Sequence, residues 1–231
     1  VPESSSTVSS LRYERKYALH GMSFEKMEMI LKMNPAVFSA IYEARYINNI
    51  YLDTPSLQAY RVTLDGIAQR QKVRIRWYGS LMGPIEKPVL EFKIKEGLAG
   101  YKKSIPLSPF TLQEPFTKKT LQEIFDKSQL SPQVYNELVH LEPTLLNRYR
   151  RTYYLAGDKR FRATIDTQLS FKDIFRPAHL NNRRTAKSDL TVLELKYAIK
   201  DDEDANGISS AFPFRVTKSS KYTLGIASLR Q

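Results

Sequence analysis

A charged pair separated by one residue returns along this chain: Glu14-x-Lys16, Arg74-x-Arg76, Glu91-x-Lys93-x-Lys95, Arg148-x-Arg150, Arg160-x-Arg162 and Glu194-x-Lys196. Side chains two apart in an extended strand point to the same face, so each pair marks one face of one strand. The residues between and beside them are apolar: Val73, Ile75 and Trp77; Leu90, Phe92 and Ile94; Phe161, Ala163 and Ile165; Leu193, Leu195 and Tyr197. An ordinary antiparallel sheet with one solvated face would also alternate in this way. Solvated faces, however, mix Thr, Ser and Gln with scattered charges of both signs. Here Arg and Lys hold matched parity, and the carboxylates Glu14, Glu91 and Glu194 each stand two residues before a lysine. That recurrence favours charged faces converging on a shared anionic ligand.

The chain has 231 residues, enough for one substantial domain. Residues 1–10 read as a disordered polar leader and 11–231 as a single domain. Thirty-six Lys and Arg against twenty-four Asp and Glu leave a net charge of +12, which points to a polyanionic partner. Charge alone admits nucleic acid, anionic membrane and phosphate-rich small molecules. With no cysteine, disulfides and thiolate metal sites are excluded, and a reducing location in the cytoplasm or on the cytosolic face of a membrane fits. His20, His140 and His179 show no ligand spacing. No apolar run reaches the roughly 20 residues of a membrane span, and the first ten residues lack the order of a signal peptide. An opening Val is consistent with a part of a larger protein, tethered to a membrane through regions outside it.

The expected order of elements starts with a strand from Leu11 to Leu19. A helix follows from the Ser23 cap to about Met33, then a strand from Ala44 to Asp53 and a helical turn to Leu64. Strands to Trp77, from Val89 to Lys95 and from Tyr101 to Leu107 form a hairpin-rich stretch. Residues 109–140 read as helical with a break at Ser131-Pro132. Strands return at Thr144–Leu155, Arg160–Phe171 and Leu190–Ile199. Asp201–Gly207 reads as an acidic loop without calcium-loop spacing, and a last helix starts near Thr217 to Ser220. Repeated hairpins with helical insertions predict a mainly β, α+β domain: a closed antiparallel β-barrel with helices packed outside.

Barrel interiors are usually apolar, but the apolar stripes of several helices need a surface, and the greasy strand faces can supply it from outside. Arg and Lys then line the interior. Two cations about 8 Å apart repel by roughly 2 kcal/mol at an effective dielectric near 20, so such a lining calls for carboxylates, water or a polyanion. Arg presents a planar fork to phosphate oxygens and Lys a compact charge. Interleaved glutamates repel phosphate, yet suit a divalent cation bridging carboxylate and phosphate oxygens; a nucleic-acid groove explains them less well, and no nucleic acid is expected. Lys218-Ser-Ser-Lys221 at a helix start is unfavourable unless an anion sits there.

The ordered set Tyr13-Glu14-Arg15-Lys16-Tyr17, Asn49-Ile50-Tyr51-Leu52-Asp53-Thr54, Val73-Arg74-Ile75-Arg76-Trp77, Leu90-Glu91-Phe92-Lys93, Asn147-Arg148-Tyr149, Arg162-Ala163-Thr164-Ile165-Asp166-Thr167, Leu193-Glu194-Leu195-Lys196-Tyr197 and Lys218-Ser219-Ser220-Lys221-Tyr222 resembles the catalytic domain of the vacuolar transporter chaperone family. These are polyphosphate polymerases of the triphosphate tunnel metalloenzyme superfamily, and the resemblance runs from about Leu11 to Leu229. It implies an eight-stranded antiparallel tunnel that takes ATP, inorganic polyphosphate, pyrophosphate or triphosphate with Mn2+ or Mg2+, and moves the terminal phosphate of ATP onto a growing chain. Carried over by motif, Lys16, Arg74, Arg76, Lys93, Arg148, Arg162, Lys218 and Lys221 would contact phosphates and Glu194 would hold the metal. Arg12, Lys103 and Lys196 join the expected phosphate contacts, with Lys102 as the alternative to Lys103; Glu14, Glu91 and Asp166 join the metal candidates. Hydrolase and cyclase branches typically begin Glu-x-Glu-x-Lys, whereas this chain has Arg12-x-Glu14-x-Lys16. The exchange of a carboxylate for Arg favours holding a long anion. The rival readings are a triphosphatase or nucleotidyl cyclase on the same fold, and a polyphosphate- or nucleic-acid-binding module without catalysis.

Overall fold

A computed structural model describes residues 7–8, 11–97, 99–173 and 184–230. Eight strands carry the architecture: β1 (Arg12–Leu19), β2 (Ser39–Asp53), β3 (Gln69–Tyr78), β4 (Val89–Glu96), β5 (Ala99–Pro106), β6 (Glu142–Leu155), β7 (Arg162–Lys172) and β8 (Thr191–Ala198). They pair antiparallel in the order β1, β8, β7, β6, β2, β3, β4, β5, and β5 returns to β1 through Arg12 opposite Gly100. The sheet therefore closes into a ring. Helices α1 (Phe24–Lys32), α2 (Gln58–Leu64), α3 (Lys118–Lys127), α4 (Pro132–Leu138), α5 (Asp202–Ser210) and α6 (Lys221–Arg230) complete the chain.

The apolar parity of the strands faces outward onto helices, as the pattern requires. Val73, Ile75, Trp77, Leu90 and Phe92 pack with Leu121, Ile124 and Phe125 of α3 and Val134 and Leu138 of α4. Tyr17, Ala163, Ile165, Leu193 and Leu195 pack with Met27 and Leu31 of α1 and Ala205 of α5. Ser23 caps α1 by accepting from the Lys26 amide, and Ser131 caps α4 ahead of Pro132, both favourable helix starts.

A third apolar cluster lies on the charged side of the ring. Tyr222 and Ile226 of α6 sit against Ile47, Tyr51, Leu145, Tyr149, Leu169 and Phe171, so α6 closes one end of the interior. A Cβ on Gly225 would fall 2.5 Å from both Leu145 and Phe171, and only glycine permits this approach. A bulge in β7 at Gln168, with φ 54°, shifts the strand's register on β6, letting Leu169 and Phe171 join that cluster. Tyr222 donates to Asp53 at 2.6 Å, while Asp53 accepts the Ala59 and Tyr60 amides of α2.

Several boundaries depart from the sequence expectation. Phe110–Leu112 is a short strand paired with Gly83–Ile85, so the helical middle begins only at Lys118. Asp201–Gly207 is not a loop but mostly helix α5, because Asp202 and Asn206 fall on one face and both accept from Arg15, at 2.9 and 2.8 Å. The last helix starts at Lys221, leaving Lys218 outside it. Thr7–Val8 pairs with β5; the rest of the expected leader, and His179, lie outside the described residues. Among the described residues no helix is long and apolar enough to cross a membrane.

Candidate anion-binding site inside the ring

Strand alternation sends the expected charged residues of β1, β3, β4, β7 and β8 to the interior, where they form linked ion pairs. Glu91, 1% exposed, receives Arg74 at 2.6 Å, Lys102 at 2.7 Å and Arg76 at 3.3 Å. Burial alone would raise its pKa, but those three cations override burial and hold the carboxyl well below the usual carboxylate range. Glu194 is likewise buried, and Lys196 (2.9 Å), Arg151 (3.1 Å), Lys16 (3.6 Å) and Lys221 (3.7 Å) surround it. Burial opposes its ionisation and these cations overcome it. Asp166 pairs with Arg151 and Lys221, both at 2.5 Å. Glu14 lies 3.2 Å from Lys16 and 3.1 Å from Lys93.

The interior cations outnumber the four carboxylates Glu14, Glu91, Asp166 and Glu194 among these pairs. Lys72 has no carboxylate partner among its described contacts and donates to the Ser220 hydroxyl at 2.8 Å; Lys16 donates to the Ser219 carbonyl at 3.0 Å. Burial, with Lys93, Lys16 and Arg70 nearby, pulls the Lys72 ammonium down to about 7. Glu14 holds Lys93 up, but burial and Lys16 bring it down to about 8. A polyanion would relieve this crowding of like charge.

The depressed Lys72 ammonium makes the folded chain more stable as pH rises above about 7. Below pH 7 the ammonium is charged in folded and unfolded chains and the folded state bears the desolvation cost; that cost is relieved as pH rises from about 7 toward the unfolded value near 10. An anion that recharges Lys72 must take up a proton above pH 7. Calorimetry of tripolyphosphate binding near pH 8, in buffers of different ionisation enthalpy, is expected to show proton uptake shared by Lys72 and Lys93, which Lys72→Met reduces. Equal uptake by the variant would contradict this assignment.

Three expected contacts fall elsewhere. Lys103 turns outward, its ammonium 6.0 Å from the Phe92 ring centre, because Lys102 shares the parity of its inward strand neighbour Lys93. Arg148 also faces outward, stacked 3.8 Å over Tyr46, and Arg150 lies over Phe24. In β6 the inward parity belongs to Tyr149 and Arg151; the run Arg148-Tyr-Arg-Arg carries cations on both faces, so the spaced pair misled. Lys218 is exposed and precedes α6. The Arg160 of the expected Arg160-x-Arg162 pair precedes β7 and joins the exposed Asp158 and Asp204 and the buried Asp201. Arg162, exposed, shares the inward parity of Asp166, and Arg12, also exposed, that of Glu14.

The carboxylates expected to share a metal do not all meet. Glu91 belongs to the Arg74, Arg76 and Lys102 group, apart from Glu194, and no three His, Cys, Asp or Glu gather as a metal cluster among the described residues. Glu14 and Glu194 do converge on Lys16, and Glu14 Oε1 is buried without a hydrogen-bond donor. Two carboxylates suit a magnesium-like ion that takes its other ligands from water and phosphate. His20 sits on the surface beside Asp189 at 2.7 Å.

A family model described as VTC domain matches residues 11–230. Vacuolar transporter chaperone complex subunit 4 of Schizosaccharomyces pombe is 27% identical over 191 residues, a match covering 69% of this chain and 26% of that protein. The chain thus corresponds to about a quarter of that relative's length. Two solved structures, each described as a putative adenylate or adenylyl cyclase, share the fold. The Bacillus halodurans protein is 12% identical with a TM-score of 0.51, covering 90% of this chain and 93% of its own. The Hippeastrum protein, described as having a dominant triphosphatase activity, is 10% identical with a TM-score of 0.52, covering 94% and 95%.

Proposed function

The chain belongs to the VTC domain family, and we propose that it is an ATP-dependent inorganic polyphosphate polymerase working with Mn2+ or Mg2+. The observation that carries this reading is the excess of interior Arg and Lys over carboxylate, with Arg74, Arg76 and Lys102 gathered on Glu91, and Arg151, Lys196 and Lys221 on Glu194 and Asp166. Phosphoryl transfer needs mainly positioning and neutralisation of charge spread over phosphate oxygens. A terminal oxygen of the acceptor chain attacks the γ-phosphorus of ATP, the bond to the β–γ bridging oxygen breaks, and ADP leaves. Lys16, Lys93, Arg162, Arg151 and Lys221 would align donor and acceptor, and Lys218, exposed outside α6, would meet chain beyond the ring. Glu194, with Glu14, would hold the metal, which when bound supplies Lewis-acid neutralisation of bridging phosphate oxygens. Lys16, Lys196 and Lys221 keep Glu194 ionised for that task.

Phosphate balance tests the reading: with ATP and Mn2+, released ADP is expected to exceed free orthophosphate, the difference appearing as acid-labile polymer. Binding is tested separately. Tripolyphosphate at about 100 times its dissociation constant adds about 2.7 kcal/mol, a melting shift of roughly 5 to 11 °C for this size. An equal shift from sulfate at matched ionic strength would reduce the interior to a nonspecific basic surface. Arg12 separates polymerase from triphosphatase. Arg12→Glu restores Glu-x-Glu-x-Lys and is expected to shorten retained polyphosphate and raise the share of ATP lost as orthophosphate; unchanged products would remove this argument.

A further inference from the structure

Tyr42, Tyr78 and Tyr153 surround the Arg45 guanidinium, their ring centres 5.4, 5.2 and 5.2 Å from its central carbon. They project from the start of β2, the end of β3 and the end of β6. Helix α6 and Ser220, just before it, occupy the other ends of the same strands, through Asp53, Leu145 and Lys72. Tyr42 and Tyr78 are 58% and 43% exposed, so aromatic surface faces solvent at the end of the interior that α6 leaves open. Tyr42 and Tyr153 meet edge to face at 5.8 Å, and the Arg76 guanidinium also approaches the Tyr78 ring, at 5.1 Å; a base stacking on Tyr78 would have to displace one of its two arginines, whereas Tyr42 is the more exposed ring. The cluster touches the cations around Glu91: Arg76 donates to the Tyr78 hydroxyl at 2.6 Å and reaches Glu91 at 3.3 Å.

We propose that this cluster is a nucleobase subsite, in which Tyr42 and Tyr78 stack the base of the nucleoside triphosphate donor while its phosphates pass Arg76 toward Arg74 and Lys102. The inference rests on the reading of ATP as donor and adds where its base is held. Arginines and lysines recognise phosphate wherever it occurs, so the interior by itself cannot tell ATP from tripolyphosphate. Discrimination needs a π surface at the end of the phosphate path. Base stacking on tyrosine supplies it with little dependence on base identity, and Arg45 adds a planar cation beside the rings. The subsite therefore distinguishes nucleotide from polyphosphate but only weakly one purine nucleotide from another.

The test is calorimetric titration of the parent, Tyr42→Ala, Tyr42→Phe and the Tyr42→Ala, Tyr78→Ala double variant with the β,γ-imido analogue of ATP and with tripolyphosphate, thermal unfolding confirming that each is folded. Alanine is expected to weaken the nucleotide roughly 5- to 150-fold and tripolyphosphate by no more than about twofold, with phenylalanine near the parent. Equal losses for both ligands, or undiminished nucleotide binding by the double variant, overturn the subsite alone. Failure of the parent to bind either ligand overturns the polymerase reading and the subsite with it.

Discussion

Glu194→Gln is expected to lose about 100-fold or more in metal-dependent turnover while holding tripolyphosphate at least as tightly as the parent. The two effects have one origin. Glu194 is the carboxylate shared by Lys16, Arg151, Lys196 and Lys221. The amide discards a metal ligand and at the same time stops competing with phosphate for those four cations. Without anion the variant leaves buried cations short of a partner, a loss of the order of 3–5 kcal/mol, which tripolyphosphate should largely restore. Turnover at the parent rate would mean the metal is held elsewhere; weaker tripolyphosphate binding would mean Glu194 organises the cations instead of competing for them.

Arg74→Ala combined with Arg76→Ala is expected to act on binding itself. Each arginine offers charge-assisted hydrogen bonds worth about 1.5–3 kcal/mol, so together they should weaken tripolyphosphate by roughly 100- to 10,000-fold. The loss is moderated because Glu91, freed from both arginines, retains Lys102 at 2.7 Å. Titration at matched ionic strength measures it. A loss below tenfold would place the anion path away from β3.

The closed ring, the inward charge and the outward helices were legible because period-two alternation in β1, β3, β4 and β8 carries face information in every residue. Legibility failed where one segment put charge on both faces. In β6, Arg148, Arg150 and Arg151 cannot be sorted by type, and only the pairing of Tyr149 and Arg151 with α6 and Asp166 fixes which side is inside. Lys102 and Lys103 pose the same problem, settled by the strand partner Lys93. Lys72 shares the parity of Arg74 and Arg76, so that spacing could have found it. Helix α5 was hidden because its helical face is polar: Asp202 and Asn206 are aligned by Arg15, a partner about 190 residues distant and invisible to local pattern. The Arg45 cluster gathers residues from three strands, and nothing in their local spacing announces it.

On the proposed reading, phosphate taken from ATP is joined into chains inside this ring. Purified protein incubated with Mn2+ and ATP labelled in the γ-phosphate, its products resolved by length on a gel, tests it most directly. A ladder extending well beyond triphosphate, and lost in Glu194→Gln, is expected. Label recovered only as orthophosphate or pyrophosphate, with no chain longer than the substrate's own triphosphate, would contradict it.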